Sequence, residues 1–483
     1  MKRPVALLVG FIIFIFSFSS FGANVPYESY TYDFRFNVVP SPAPYVPIKS
    51  VDGNSLGVGS FQRPEDMHVT EDGEIFILDT GNNRIVVFDN KWNHVETISK
   101  FINDGEEDTF NNPHGIYVTK KGDIYIADTD NRRIVALTRK GDLIKVIADP
   151  KSELFPENFI FAPLKVCVDY ADRVFVIARN VLQGIMNFDE EGDFFGYVGT
   201  IKVNVSLTDI IWRSLSTKEQ RQRQQLFVPT EFTNMDIDSG GFIYTTNIDN
   251  FSNETVKRLN PSGEDVLRRP VNAPVRGDHY YTHIGRYGGP SRFVDIIVRD
   301  NRMYSVLDSR RGRIFTYDHQ GNLLYIFGGV GTQTGTFRRP VAIDELDENL
   351  IVLDRDLGEV IIFETTNYGS YINTAIALQH EGRDEETAKF WSKVLKLNAN
   401  FELAYVGVGK ALLADGNNKE AMKYFKIGMD QKYYSIAFKR YRNEVLKANL
   451  GYVLTALMVL LICFIVFKIF KNKIVLRRKC ENA

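Results

Sequence analysis

The chain is poor in cysteine: Cys167, Cys463 and Cys480 are the only three in 483 residues. Cys463 falls within an apolar run and Cys480 within a basic tail, which leaves Cys167 alone in everything before them. No intramolecular disulfide can staple that region, and no paired-cysteine metal signature occurs. An excess of either charge is missing too. The 58 basic and 60 acidic side chains leave a net −2. That balance supplies neither the field that nucleic acid requires nor a cationic membrane-hugging surface. No phosphate-cradling glycine loop and no nucleophile motif occurs. The composition is otherwise globular, 44% hydrophobic and 24% charged, over a length that predicts two or three units.

Two apolar runs stand out. Met1-Lys2-Arg3 precedes an apolar stretch from Val5 to Phe18 and then Ser19-Ser20-Phe21-Gly22-Ala23. This is the layout of a secretory signal peptide over residues 1–22, cleaved after Gly22; the alternative is an uncleaved anchor. The second run, Leu450 to Phe467, is long enough to cross a bilayer and is apolar on all faces. It predicts a transmembrane helix over 449–470. Lys468, Lys471, Lys473, Arg477, Arg478 and Lys479 follow, and positive charge beside a span marks the cytoplasmic side. The expectation is a single-pass protein of the cell membrane. Its N-terminal domains are extracytoplasmic, its tail (471–483) is basic and cytoplasmic, and membrane lipid contacts 449–470. Exported chains without disulfides are typical of Gram-positive-type bacteria.

The middle of the chain repeats. Phe61-Gln62-Arg63-Pro64 leads to Gly73-Glu74-Ile75-Phe76-Ile77-Leu78-Asp79-Thr80 and Asn83-Arg84-Ile85-Val86. Phe110-Asn111-Asn112-Pro113 leads to Gly122-Asp123-Ile124-Tyr125-Ile126-Ala127-Asp128-Thr129 and Arg132-Arg133-Ile134-Val135, 49 residues on. Weaker copies start at Phe161-Ala162-Pro163, Phe227-Val228-Pro229, Arg292-Phe293-Val294 and Phe337-Arg338-Arg339-Pro340, six in all. Short β-rich runs between Gly, Asp and Asn turns, four per 40–50 residues, describe a propeller blade. The last copy has three clear strands before helical sequence begins, so a strand from Tyr45 to Val51 is expected to complete it and close the ring. Residues 23–44 read as an extended segment and 206–227 as a helical insertion.

These repeats resemble the NHL family of six-bladed propellers, through Pro113-His114-Gly115-Ile116, the run from Gly122 to Thr129, and Asn131 to Ile134. The resemblance covers residues 45–365. From Tyr371 the period turns helical. Ala388 and Ala421 are 33 residues apart, and Gly409, Gly416, Ala421 and Phe425 resemble the small and aromatic positions of tetratricopeptide repeats. Residues 371–448 are therefore expected to form a degenerate module of that kind, with a last helix, Ser435 to Ala448, running into the span. The fold class is mainly β: a six-bladed β-propeller with a small all-α tetratricopeptide-like module and one transmembrane helix.

The resemblance implies two chemistries to test. Peptide-amidating lyases with this propeller hold zinc on histidines after the blade prolines. Here only His114 fills that position; Glu65, Leu164, Thr230, Val294 and Val341 stand at the others, and one imidazole does not hold a catalytic zinc. A lactonase-like site would need oxygen ligands converging in the channel around a divalent metal such as calcium, and Glu65, Asp66, Glu231 and Asp295 lie near strand starts. Arg63, Arg276, Arg292, Arg338 and Arg339 recur near blade openings and would suit a carboxylate-bearing or otherwise anionic ligand. The ligand-binding set expected at the channel mouth is Glu65, His114, Glu231, Asp295, Arg63 and Arg339. No catalytic residue and no resident cofactor is assigned. The reading favours a binding or scaffold protein over an enzyme. Its propeller loops and helical repeats would contact protein partners, for example beside a transporter. The alternative is a lactonase- or lyase-like enzyme with a divalent metal in the channel.

Overall fold

The computed structural model describes residues 25–199, 231–248, 254–270, 274–299 and 301–481, with side chains to residue 472. The expected signal peptide and the helical insertion 206–227 lie outside the described residues. Two compact units divide between Ile376 and Ala377.

The first unit is a six-bladed β-propeller. After β1 (Tyr30–Tyr32), β2 (Val38–Pro40) and β3 (Tyr45–Asp52), the first blade comprises β4 (Asp66–Val69), β5 (Ile75–Asp79), β6 (Arg84–Phe88) and β7 (His94–Ile98). A hairpin, β8 (Lys100–Asn103) and β9 (Glu106–Thr109), precedes the second blade of β10 (Gly115–Val118), β11 (Ile124–Asp128), β12 (Arg133–Leu137) and β13 (Leu143–Ala148). The third blade has β14 (Pro163–Val168), β15 (Val174–Ala178), β16 (Ile185–Phe188) and β17 (Phe194–Val198); the fourth has β18 (Phe232–Ile237), β19 (Ile243–Asn247) and β20 (Val256–Leu259). The fifth has β21 (Phe293–Val298), β22 (Tyr304–Asp308), β23 (Arg313–Tyr317) and β24 (Leu323–Phe327); the sixth has β25 (Pro340–Leu346), β26 (Asn349–Asp354) and β27 (Glu359–Thr365).

The second strand of each blade is sandwiched between neighbouring blades, which is why Ile75-Phe76-Ile77-Leu78 and Ile124-Tyr125-Ile126-Ala127 are unbroken apolar runs, buried at every residue. The first strand lines the central lumen. β3 pairs with β27, from Tyr45↔Thr365 to Asp52↔Glu359. The N-terminal strand expected at Tyr45 to Val51 thus supplies the sixth blade's fourth strand and ties the ring shut.

Three details depart from the sequence reading. Residues 23–44 are not simply an extended lead-in: β1 and β2 form a hairpin, and Tyr30 pairs with Ile326 to add it to the fifth blade. In the fourth blade Phe232, not Pro229, takes the place of the blade proline, because Phe232 pairs with Asn247 as Pro163 pairs with Ala178. The long insertion destroys the 49-residue spacing there, and cross-strand pairing sets the register instead. That blade also has a three-stranded sheet among the described residues. The outer edge of β20 is covered in part by the backbone and in part by side chains: Leu259 bridges to Asp265, the Val266 N–H donates to the Arg258 carbonyl at 2.8 Å, Asp265 accepts from the Arg258 N–H at 3.2 Å and Arg269 donates to the Val256 carbonyl at 2.7 Å.

The helices are α1 (Asn367–His380), α2 (Asp384–Leu397), α3 (Glu402–Ala414), α4 (Asn418–Ile427) and α5 (Gln431–Glu481). Within the second unit, glycines let two aromatics approach a backbone. A Cβ at Gly407 would strike Trp391, and one at Gly409 would strike Phe425. Phe425 is buried with Val406, Leu413, Ala421 and Ala437. The last helix of the module and the expected span are a single helix, α5. Its stretch to Asn472 is long and apolar enough to cross a membrane.

Candidate functional site

Strand register places equivalent residues of the inner strands at one level of the lumen. Asp66, Gly115, Lys165, Asn234, Asp295 and Ala342 each oppose the penultimate residue of the second strand: Leu78, Ala127, Ile177, Thr246, Leu307 and Leu353. Two residues further along, His68, Tyr117, Cys167, Asp236, Ile297 and Asp344 make a second level.

At the first level, Lys165 Nζ lies 2.7 Å from Asp66 Oδ1. The reach passes the second blade, where Gly115 has no side chain. A Cβ on Gly115 would lie 2.5 Å from the Leu164 carbonyl oxygen and 2.8 Å from Lys165 Cα. On the other side, Asn234 Nδ2 donates to Asp295. The carboxylates also bind blades together. Asp66 accepts from the Ile116 N–H at 2.9 Å, Asp295 from Ile343 at 2.6 Å, Asp236 from Val298 at 2.7 Å and Asp344 from Val69 at 2.7 Å. Each link runs from one inner strand to the next.

Burial shapes the protonation of these groups. It pushes the Asp295 carboxyl up to about 8, with Asp66 adding to the rise while Lys165 and two backbone N–H donors oppose it. It raises Asp236 to about 6 and Asp344 well above the usual carboxylate range. It lowers His68 to about 4, so that ring is neutral near pH 7. The lumen thus carries fewer charges than its ionisable residues would supply.

The residues expected at the mouth divide among different partners. Glu65 is ion-paired with Arg355 at 2.7 Å. His114 donates from Nδ1 to the Asn112 carbonyl at 2.8 Å, and burial holds its pKa below the ordinary imidazole value. Glu231 accepts from the Asn180 N–H at 3.1 Å. Asp295 is buried one level in, and Arg63 and Arg339 are exposed. No group of three or more His, Cys, Asp or Glu side chains is arranged to hold a metal ion among the described residues. Sequence reasoning missed Lys165, Asn234, Asp236 and Asp344. The signal that finds them is the strand register: each sits at a position defined by pairing with the second-strand motif.

The first and third strands of each antiparallel blade begin at one end of the ring. Arg63, Arg292, Arg338 and Arg339 precede first strands, and Arg132 and Arg179 lie in turns before third strands. All six are exposed, and none has a side-chain hydrogen bond or ion pair among the described residues. Arg276 lies instead in the segment joining the fourth and fifth blades.

The same end shows what the repeated Asp-Thr motif does. Asp79 accepts from the Gln62 N–H at 2.7 Å and from Arg84 Nε at 2.7 Å. Thr80 donates to the Pro113 carbonyl of the next blade at 2.7 Å. Asp128 repeats this with Asn111 at 2.7 Å and Arg133 at 2.8 Å, and Thr129 with Pro163 at 2.6 Å. Residues 61–88 and 110–137 match the family model for the NHL repeat.

These two segments are NHL repeats.

The chemistry shared by the two NHL repeats is thus a carboxylate that fixes its own blade's opening loop and a hydroxyl that links to the next blade. Comparison with curated proteins finds no match. Among solved structures, virginiamycin B lyase from Staphylococcus aureus is 12% identical, with 66% of this chain and 99% of that one covered at a TM-score of 0.41. A gluconolactonase-like propeller is 13% identical, covering 68% of this chain and 94% of its own at 0.39. A Bacteroides thetaiotaomicron protein of unknown function is 11% identical, covering 66% and 72% at 0.42.

Proposed function

We propose that the chain is a membrane-anchored recognition protein whose propeller mouth takes a carboxylate-rich anionic ligand outside the cytoplasm. The helical module then brings a protein partner to the same anchor. The supporting observation is the arginine array. Six exposed guanidiniums at one end of the ring have no side-chain hydrogen bond or ion pair among the described residues, whereas Glu65, two residues after Arg63, is already neutralised by Arg355. Planar, bidentate donors of this kind suit carboxylates. The lumen below serves as a rigid stem, because its carboxylates are committed to backbone N–H groups of adjacent blades.

The test uses the full chain in detergent micelles with poly-glutamate as the probe, titrated at several salt concentrations. Changing Arg63, Arg338 and Arg339 together to Gln is expected to weaken binding about tenfold. Raising the salt is expected to weaken it further. Binding that ignores both the substitutions and the salt would sink the proposal.

A further inference from the structure

The helix α5 presents two different faces before it reaches the apolar run. One is used within the second unit: Phe425 stacks on Tyr433 at 5.5 Å, Ala437 is buried, Arg440 donates to the Leu413 carbonyl at 3.2 Å, and Asn418 donates to Glu444. The second face lies roughly a quarter-turn away. It consists of Phe438, Tyr441, Val445 and Ala448, with Phe438 45% and Val445 40% exposed. No ring contact or hydrogen bond covers Tyr441, Val445 or Ala448 through its side chain among the described residues.

Those four residues are spaced three, four and three apart. The same alternation continues without a break through Tyr452, Thr455, Val459, Ile462, Val466 and Ile469. Within the apolar run any spacing finds apolar residues. Before it, the stripe runs between Lys439, Arg442, Asn443 and Lys447, so there the pattern is selective. A sustained 3–4 alternation on an uninterrupted helix is the pattern of a left-handed two-helix seam.

We infer that this stripe pairs with the same stripe of a second copy of the chain, in parallel. The inference rests on α5 being a membrane span. A bilayer holds every copy in one orientation, so residues at a given depth meet their own counterparts, and a self-complementary stripe needs no other partner. Charge permits it. In parallel register the flanking positions set Arg442 against Ala437 and Glu444 against Asn449, with no like charges opposed. Size permits it as well. The stripe from Phe438 to Ile469 is about 47 Å long. A seam about 10 Å wide on both helices buries on the order of 900 Å², which is modest in water. Confinement to one membrane plane reduces what association costs.

The experiment uses the full chain in its membrane, with Cys463 and Cys480 replaced by Ser. Single cysteines are introduced at Phe438, Tyr441, Val445 and Ala448, and at Lys439, Asn443 and Lys447, and then oxidised. Disulfide-linked homodimers are expected to form several-fold faster at the first four positions. Equal rates at all seven positions, or cross-links to a different protein, would overturn the pairing. As a second readout, Val445→Arg is expected to convert two-step photobleaching to one step. One-step bleaching of the unaltered chain would also overturn it. Release of the chain by alkaline carbonate would instead remove the membrane reading itself, so the two failures are distinguishable.

Discussion

Lys165 reaches past Gly115 to place its ammonium 2.7 Å from the Asp66 carboxylate, joining the third blade to the first across the second. Both side chains are largely buried, 12% and 8% exposed. A pair of this kind is weak evidence of net stability, but breaking it from one side is costly. Lys165→Met is therefore expected to lower unfolding stability by about 3 kcal/mol by stranding the Asp66 charge. The double change Lys165→Met with Asp66→Asn is expected to recover a substantial part of it. Denaturant unfolding of the two variants and the parent checks both statements.

Gly115 makes that reach possible. Gly115→Ala would put a methyl group against the Leu164 carbonyl and Lys165 Cα. The backbone of β14 must then retreat from β10, at an expected cost of about 1–3 kcal/mol. A thermal melt unchanged from the parent would show that the two inner strands have more freedom than their spacing implies.

The NHL repeat motif should divide into a large and a small part. Asp128 is fully buried and holds Asn111, Asn131 and Arg133. Asp128→Ala removes an acceptor from all three at once, although Arg133 keeps Asp108 and Asn131 keeps the Thr109 carbonyl, and a loss of about 3 kcal/mol is expected. Thr129→Val removes only the bond to the Pro163 carbonyl, and about 1 kcal/mol is expected. Reversal of that order would contradict the roles assigned to the two residues.

The lumen predicts a pH dependence. Asp295 titrates near 8 in the fold, above its ordinary value, so the native state holds its proton more tightly than the unfolded chain. The stabilisation is fully present below the unfolded carboxylate pKa and is lost as pH rises towards 8. Below about pH 6.5 His68 acts in the opposite sense. Its folded pKa is depressed to about 4, and its neutral form is favoured as pH rises from there. Between pH 6.5 and 8 the decline therefore comes from raised carboxyls, Asp295 together with Asp344. Stability of the parent is expected to fall by about 1–2 kcal/mol over that interval. Asp295→Asn is expected to make the decline shallower, leaving the share of Asp344, which melts at pH 6.5 and 8 would resolve.

Ring closure predicts a graded response to truncation. β3 pairs along the whole of β27, whereas β1 meets β24 through the single pair Tyr30↔Ile326. Removing residues 25–40 costs the hairpin and the bond from the Tyr27 hydroxyl to the Tyr45 carbonyl, but it leaves the sixth blade complete. A lower but still cooperative melt is expected. Removal through Asp52 takes away the closing strand and is expected to abolish the cooperative transition. Near-ultraviolet circular dichroism during heating would separate the two outcomes.

The blade repeat was legible because the same local physics recurs every 49 residues in its best copies. The closing strand was legible because the sixth copy lacked its fourth. Fourth-blade register was not, since Phe227-Val228-Pro229 offered a nearer match to the motif than the strand that begins at Phe232. The lumen ring was hidden for a related reason. Asp66, Gly115, Lys165 and Ala342 share no residue type, although each lies two residues after its blade proline; Asn234 and Asp295 follow Phe232 and Phe293 instead and are equivalent to them only through the pairings of their blades.

Sequence alone determined the alternation of strands and turns, the apolar second strands, the helical period after Tyr371 and the apolar run near the C-terminus. These follow from short-range periodicity, which each segment carries by itself. Tertiary structure alone decided which side chains meet across the lumen, which carboxyls are driven to protonate, and that Lys165 finds Asp66 rather than a neighbour in sequence. Those outcomes depend on burial and on strands brought together from different blades of the ring, and no local pattern encodes either.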